Sequence, residues 1–96
     1  MENRHWLVLY DIREERRLAR VAKIVESYGS RVQKSVFEVH APPSVVMGLK
    51  RRVEQVIDME EDFILLFEVC ERDWQKREFF GKNLEKEEDN ASFVIL

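Results

Sequence analysis

Apolar positions along the chain change period several times, and each change marks a structural element. Residues 5–11 (HWLVLYD) place Trp6, Leu7, Val8, Leu9 and Tyr10 without a break. That pattern predicts a central strand buried on both faces. Residues 13–28 follow a 3.6-residue period: Leu18, Val21, Ala22, Val25 and Tyr28 fall on one side with Ile24 at the margin. Arg13, Arg16, Arg20 and Lys23 point the other way, so the segment reads as an amphipathic helix that Gly29 ends as a C′ residue.

Residues 31–40 (RVQKSVFEVH) are rich in β-branched residues, but Val32, Val36, Phe37 and Val39 do not keep one alternation. A bend near Lys34 or Ser35 accounts for this, giving one kinked strand or two short ones. Ala41-Pro42-Pro43 stops the strand, because proline cannot donate to a ladder. Ser44 then reads as the N-cap of a second helix with an apolar stripe of Val46, Leu49, Val53, Val56 and Ile57. Lys50, Arg51 and Arg52 lie mostly outward from it. Asp58 to Asp62 reads as an acidic turn, and Phe63 to Val69 as a second apolar strand.

The order strand, helix, kinked strand, helix, strand predicts an α+β sandwich of the ferredoxin-like kind, βαββαβ. Residues 71–90 are mixed and polar, with Trp74, Phe79 and Phe80 as isolated anchors. KEEDN (86–90) reads as a charged linker, and Ser92-Phe93-Val94-Ile95-Leu96 as a terminal strand. An edge that apolar needs cover, either within its own sheet or from a second subunit. The chain thus divides into a domain over residues 1–80 and a linker with a dimerisation strand over 81–96.

Bulk properties narrow the function. Ninety-six residues, 45% apolar and 36% charged, describe one globular domain. No apolar run approaches the ~20 residues of a membrane span, and Met1 to Leu9 lacks the form of a secretory signal. Cytoplasm is the expected location. Cys70 is the only cysteine, so no internal disulfide forms, and its apolar context predicts a buried structural thiol. His5 and His40 are far apart, without zinc spacing.

The net charge is −3, but it is unevenly spread. Residues 13–34 carry seven Lys/Arg against three Glu, a local balance of +4, while residues 35–71 carry three against eight Asp/Glu. Fields in saline act over about 8–10 Å, so a basic face can hold phosphate on an acidic protein.

Asp11 closes the first strand and precedes the helix, where a rigid backbone presents it outside the sheet. A hard oxygen ligand there suits Mg²⁺, and two copies across a dimer axis supply a pair. Asp11-Ile12-Arg13-Glu14 is also a capping-box pattern, in which Asp11 caps the helix and Glu14 returns the bond. Arg13, Arg16, Arg20 and Lys23 are candidates for a phosphate backbone. Arg17 sits on the flank, able to reach toward the end of the first strand. The competing reading is a solvated face with weak pairs to Glu14, Glu15 and Glu26. Arg31, Lys34 and Ser35 extend the basic surface or form an ordinary edge. Phe37 and Val36 read as core or dimer interface, and Tyr10 as a packed tyrosine. With no nucleophile–base pair and no glycine-rich phosphate loop, the feasible chemistry is metal-assisted phosphodiester hydrolysis.

L-V-L-Y-D-I (7–12), E-R-R-L-A-R-V-A-K-I-V-E-S-Y-G (15–29), R-V-Q-K-S-V-F-E (31–38), E-E-D-F-I-L-L-F-E-V-C (60–70), F-G-K (80–82) and the final F-V-I-L together resemble the CRISPR-associated Cas-two family. The likeness runs in order over most of the chain. It implies a ferredoxin-like homodimer whose terminal strand adds to the partner's sheet, and a divalent metal shared by Asp11 of two subunits near the dimer axis. It associates Arg16 and Arg17, and the segment around Arg31, Ser35 and Phe37, with nuclease activity or nucleic-acid contact. The implied role is spacer acquisition, with the dimer bridging the CRISPR integrase on duplex DNA. Mg²⁺-dependent cleavage of single-stranded RNA or duplex DNA is also implied. A toxin-like metal-dependent ribonuclease of the same fold is the alternative. The chain departs from many relatives after Cys70, where Arg72-Asp73-Trp74 stands in place of a second cysteine.

Overall fold

The computed structural model describes residues 2–81. The order is β1 (Arg4–Asp11), α1 (Glu15–Glu26), β2 (Gly29–Gln33), β3 (Val36–Ala41), α2 (Pro43–Glu54), β4 (Phe63–Val69) and the short helix α3 (Glu71–Gln75). The four strands form one antiparallel sheet in the order β2-β3-β1-β4. β1 and β2 are therefore parallel with β3 between them, and β3 and β4 are parallel with β1 between them. These are the two interleaved split βαβ units of a ferredoxin-like sandwich.

Alternation along the strands sorts the sheet into two faces. Val8 and Tyr10 of β1 share a face with Phe37 and Val39 of β3, and meet Val21 and Val25 of α1 and Val46, Leu49 and Val53 of α2 in one core. Phe37, Leu49 and Val8 are fully enclosed. The other face carries Leu7, Leu9, Val36, Phe63, Leu65 and Phe67, and no helix of the described chain covers it fully. Phe63, Leu65 and Phe67 are exposed by 58%, 44% and 57%. β1 is thus buried on one face and half-buried on the other, so its unbroken apolar run reflects an open sheet face rather than cover from within the chain.

The 31–40 segment resolves into two strands. β2 and β3 meet across Lys34-Ser35, with the register shifting between Arg31 and Gln33. Gly29 is not a helix cap. Helix α1 ends on Ser27, whose Oγ donates to the Ile24 carbonyl, and Gly29 opens β2. A Cβ there would stand 2.2 Å from the Glu38 carbonyl oxygen, so the glycine permits close approach of two strands. Ser44 does not cap α2. Its N-cap is Pro42, with Pro43 in the first turn, where a missing N–H costs nothing. Leu18 is exposed rather than core.

α3, which sequence periodicity does not show, docks the chain after β4 onto one end of the open face. Trp74 is buried and stacks on His5 at 4.7 Å between ring centroids, and His5 stacks on His40 at 4.3 Å. Arg77 lies 4.2 Å from the Trp74 ring and pairs with Glu38 at 3.0 Å. Of the three predicted anchors, Trp74 holds, Phe79 is half-buried and Phe80 is exposed. Cys70 is also exposed, because it lies just past the last strand residue at the start of α3. Apart from Gly81, the predicted linker and terminal strand over 81–96 lie outside the described residues. Among the described residues no helix is long and apolar enough to cross a membrane.

Candidate nucleic-acid and metal site at the end of β1

β1 ends at Asp11, opposite Phe63 of β4. By alternation Asp11 shares the open face with Leu7 and Leu9, so it stands on the rim of the uncovered apolar patch. Its side chain is 71% exposed, and its ionic neighbour is Arg13 Nη1 at 3.9 Å. On the other flank, the Tyr10 N–H donates to the Ser35 carbonyl at 3.2 Å, which brings the Lys34-Ser35 turn beside the strand end.

Asp11 does not cap α1. Glu14 does, its carboxylate accepting from the Arg17 N–H at 2.9 Å and the Arg16 N–H at 3.1 Å. Those two bonds, Arg17 first, hold its pKa below the usual carboxylate range. The helix begins at Glu15, so residue 14 holds the N-cap position and Asp11 lies outside the capping bonds.

The loop that follows Asp11 is held by Asp62, which immediately precedes Phe63, the β4 partner of Asp11. The Asp62 side chain is fully enclosed. Its Oδ1 accepts from the Arg13 N–H at 2.9 Å and Arg17 Nη2 at 3.2 Å, and its Oδ2 accepts from Arg17 Nε at 2.7 Å and the Asp58 N–H at 2.8 Å. The Arg17 hydrogen bonds, above all, push the Asp62 pKa far below its ordinary value, against a smaller desolvation effect. Arg17 is correspondingly raised, and it also reaches Glu61 at 3.4 Å and Glu14 at 4.0 Å.

The predicted site residues thus separate. Asp11, Arg13, Arg16, Lys34 and Ser35 gather at one end of the sheet. Arg16, Arg20 and Lys34 are exposed, and the guanidinium groups of Arg16 and Arg20 make no ion pair among the described residues. Arg20 lies one turn further along α1. Arg17 faces the Asp58–Asp62 turn and is engaged there. Arg31 is half-buried, 5.2 Å from the Phe37 ring centroid and 4.0 Å from Glu26. Tyr10 is packed against Phe37, and burial raises its pKa. Asp62 was legible only as part of an acidic turn. Its i, i+4 spacing from Asp58 marks a closed turn, but nothing local shows that Arg17 meets it. Among the described residues of one chain, no group of three His, Cys, Asp or Glu comes together to hold a metal.

The chain is therefore a ferredoxin-like domain with an exposed strand-end carboxylate beside a cationic helix. The family model for CRISPR associated protein Cas2 matches residues 4–77, and the chain belongs to that family. It is 41% identical over 76 residues to CRISPR-associated endoribonuclease Cas2 3 of Rhodospirillum rubrum, covering 74% of this chain and 79% of that one. It is 35% identical over 70 residues to CRISPR-associated endonuclease Cas2 2 of Thermus thermophilus, covering 73% and 78%. Among solved structures, Streptococcus pyogenes Cas2 at pH 6.5 superposes with a TM-score of 0.71 at 37% identity, over 80% of this chain and 99% of that one. A hypothetical protein from Thermus thermophilus superposes at 0.74 with 29% identity, over 84% and 94%.

Proposed function

We propose that the chain is a homodimeric CRISPR adaptation protein that holds nucleic acid by its backbone and cleaves phosphodiesters with Mg²⁺. The observation that carries this is the placement of Asp11, an exposed carboxylate on the rim of an uncovered apolar sheet face. Two copies closing over Leu7, Leu9, Leu65 and Phe67 bury that face, and a two-fold axis near the rim sets one Asp11 beside the other.

Asp11 fits a magnesium ligand: it is a hard oxygen donor, open to solvent, with an arginine no nearer than 3.9 Å. Mg²⁺ binds through one or two carboxylates and keeps several waters. When bound, it supplies charge neutralisation at a phosphate and a water of lowered pKa. Arg16, unpaired on the exposed face, offers two parallel bonds to a phosphate. Arg17 keeps the Asp11 loop in place through Asp62. Arg13, Arg20, Arg31 and Lys34 extend the positive surface, and the Ser35 turn bounds the site on the β3 side. The relatives' endoribonuclease and endonuclease names support the chemistry. The adaptation role adds the CRISPR integrase and duplex DNA as partners, in the cytoplasm.

The test pairs sedimentation with cleavage of labelled single-stranded RNA and duplex DNA, with Mg²⁺ or EDTA. A dimer whose cleavage requires Mg²⁺ and disappears in Asp11→Ala supports the catalytic reading. A strict monomer, or cleavage untouched in Asp11→Ala, overturns it. Co-purification with the integrase on DNA with short single-stranded ends tests the adaptation role separately.

A further inference from the structure

A groove runs between α1 and the end of α2, on the surface turned away from the open sheet face. Arg20, Lys23 and Ile24 of α1 and Arg52, Gln55 and Val56 at the end of α2 line it, around a volume of about 420 Å³. Three of the six residues are cationic and no carboxylate is among them. Ile24 and Val56 are partly buried against the core and form an apolar base. Arg52 is held in position: its guanidinium lies 5.6 Å from the Tyr28 ring centroid, and Nη1 approaches Tyr28 Oη at 3.5 Å. Arg20 and Lys23 make no ion pair among the described residues. Like charges gathered over a low-dielectric base repel each other and focus a positive potential outward. Such an arrangement is relieved by an anion.

The groove is also continuous with the Asp11 end. Arg16, Arg20 and Lys23 follow one another along the outer face of α1, and Arg20 belongs both to that row and to the groove. At ~1.5 Å per residue the row from Arg16 to Lys23 covers about 10 Å, roughly the rise of three phosphates along one DNA strand. An extended polyanion fits this layout better than a single ion does.

We propose that the α1–α2 groove seats a phosphodiester backbone, with Lys23 and Arg52 as its contacts and Arg20 as the link to the Asp11 end. This rests on the reading that the protein acts on nucleic acid. It adds a second contact surface, on the helical side, so that bound nucleic acid runs around the protomer instead of meeting only the strand end.

Fluorescence anisotropy with a labelled short duplex DNA, across a salt series, tests it. Each phosphate contact contributes about 0.9 to the slope of log K against log salt. The double variant Lys23→Ala/Arg52→Ala is expected to flatten that slope by about 1.8. The charge-keeping pair Lys23→Arg/Arg52→Lys is expected to retain the wild-type slope. Thermal melting checks folding, and the exposed single variant Lys23→Gln, expected to lose about half as much slope, serves if the double variant does not fold. A wild-type slope in the alanine double variant, alongside a flattened one in Arg16→Ala, overturns the groove and leaves nucleic-acid binding standing. Loss of slope in the charge-keeping pair also overturns it, because packing and not charge would then be at work. A wild-type protein that binds no duplex overturns both readings.

Discussion

Arg17 and Asp62, 45 residues apart, grip each other through two hydrogen bonds, Nε to Oδ2 at 2.7 Å and Nη2 to Oδ1 at 3.2 Å. The pair ties the first turn of α1 to the turn that launches β4. The same carboxylate takes the Arg13 N–H, so the backbone two residues beyond Asp11 is fixed by it. An arginine that reads as a phosphate ligand along the chain is thus occupied in the fold by fixing the backbone next to the exposed Asp11.

Removing Arg17 leaves the enclosed Asp62 carboxylate with only the Arg13 and Asp58 N–H groups, and removing Asp62 leaves Arg17 only its longer contacts to Glu61 and Glu14. Asp62→Ala also strips acceptors from the Arg13 and Asp58 N–H groups. Each single variant is expected to lower the thermal midpoint by on the order of 10 °C. The double variant Arg17→Ala/Asp62→Ala is expected to lose clearly less than the sum of the two, read as coupling in a double-mutant cycle. Additive losses would mean the pair does not act as a unit.

The pair also sets an acid limit. The Asp62 pKa is depressed on folding, from an ordinary value of 3.8, so the unfolded chain takes up its proton first as pH falls. The stabilisation is complete well above that value. It is lost progressively below it, toward the depressed folded pKa. Urea midpoints measured from pH 7 downward are expected to fall through this window in the wild type, and less steeply in Asp62→Asn.

Gly29→Ala would force a methyl group to 2.2 Å from the Glu38 carbonyl oxygen and 2.7 Å from Val39 Cγ2. The obstacle is backbone of the neighbouring strand, which cannot swing aside. The expected cost is about 3 kcal/mol in denaturant titration. A near-neutral result would show that β2 can shift away from β3.

Asp11→Asn removes a charge that is mostly solvated, with its arginine neighbour at 3.9 Å. Its thermal midpoint is expected to match the wild type, since exposed pairs of this kind contribute little. Mg²⁺-dependent cleavage is expected to vanish in the same preparation. Equal loss of stability and activity would instead mark Asp11 as structural.

Leu65 and Phe67 are exposed on the open face, by 44% and 57%. Leu65→Glu/Phe67→Glu is therefore expected to keep the protomer folded, by circular dichroism, while sedimentation shows a monomer. Two carboxylates facing their copies across an apolar interface would be desolvated without partners.

Much of the fold is written in local pattern. Unbroken apolar runs place β1 and β4, and the 3.6-residue period places α1, all within two residues, while the stripe read for α2 runs to Ile57, three residues past the helix end at Glu54. The apolar stripe of Val46, Leu49 and Val53 matches the buried side of α2. Where local pattern and structure differ, the local signals compete. Gly29 satisfies a helix-end rule, yet it serves strand contact. Asp11 and Glu14 both satisfy a capping rule, but the helix begins at Glu15, so only Glu14 stands at the N-cap. Cys70 sits next to an apolar strand but just beyond its last paired residue, so it meets solvent. The short helix α3 has too few residues to show a period.

Sequence alone determined the order of elements, the candidate carboxylate at the end of β1 and the cationic row on α1, because side-chain periodicity and strand-end position are local properties of a chain. Only the tertiary structure decided which arginine is free and which is held, since Arg17 meets Asp62 and Arg16 does not. It alone brought Arg52 of α2 across from Lys23 of α1, and it alone showed that the face bearing Leu9, Leu65 and Phe67 is left open. Those facts depend on which distant segments the packed core brings together, and no spacing along the chain encodes that distance.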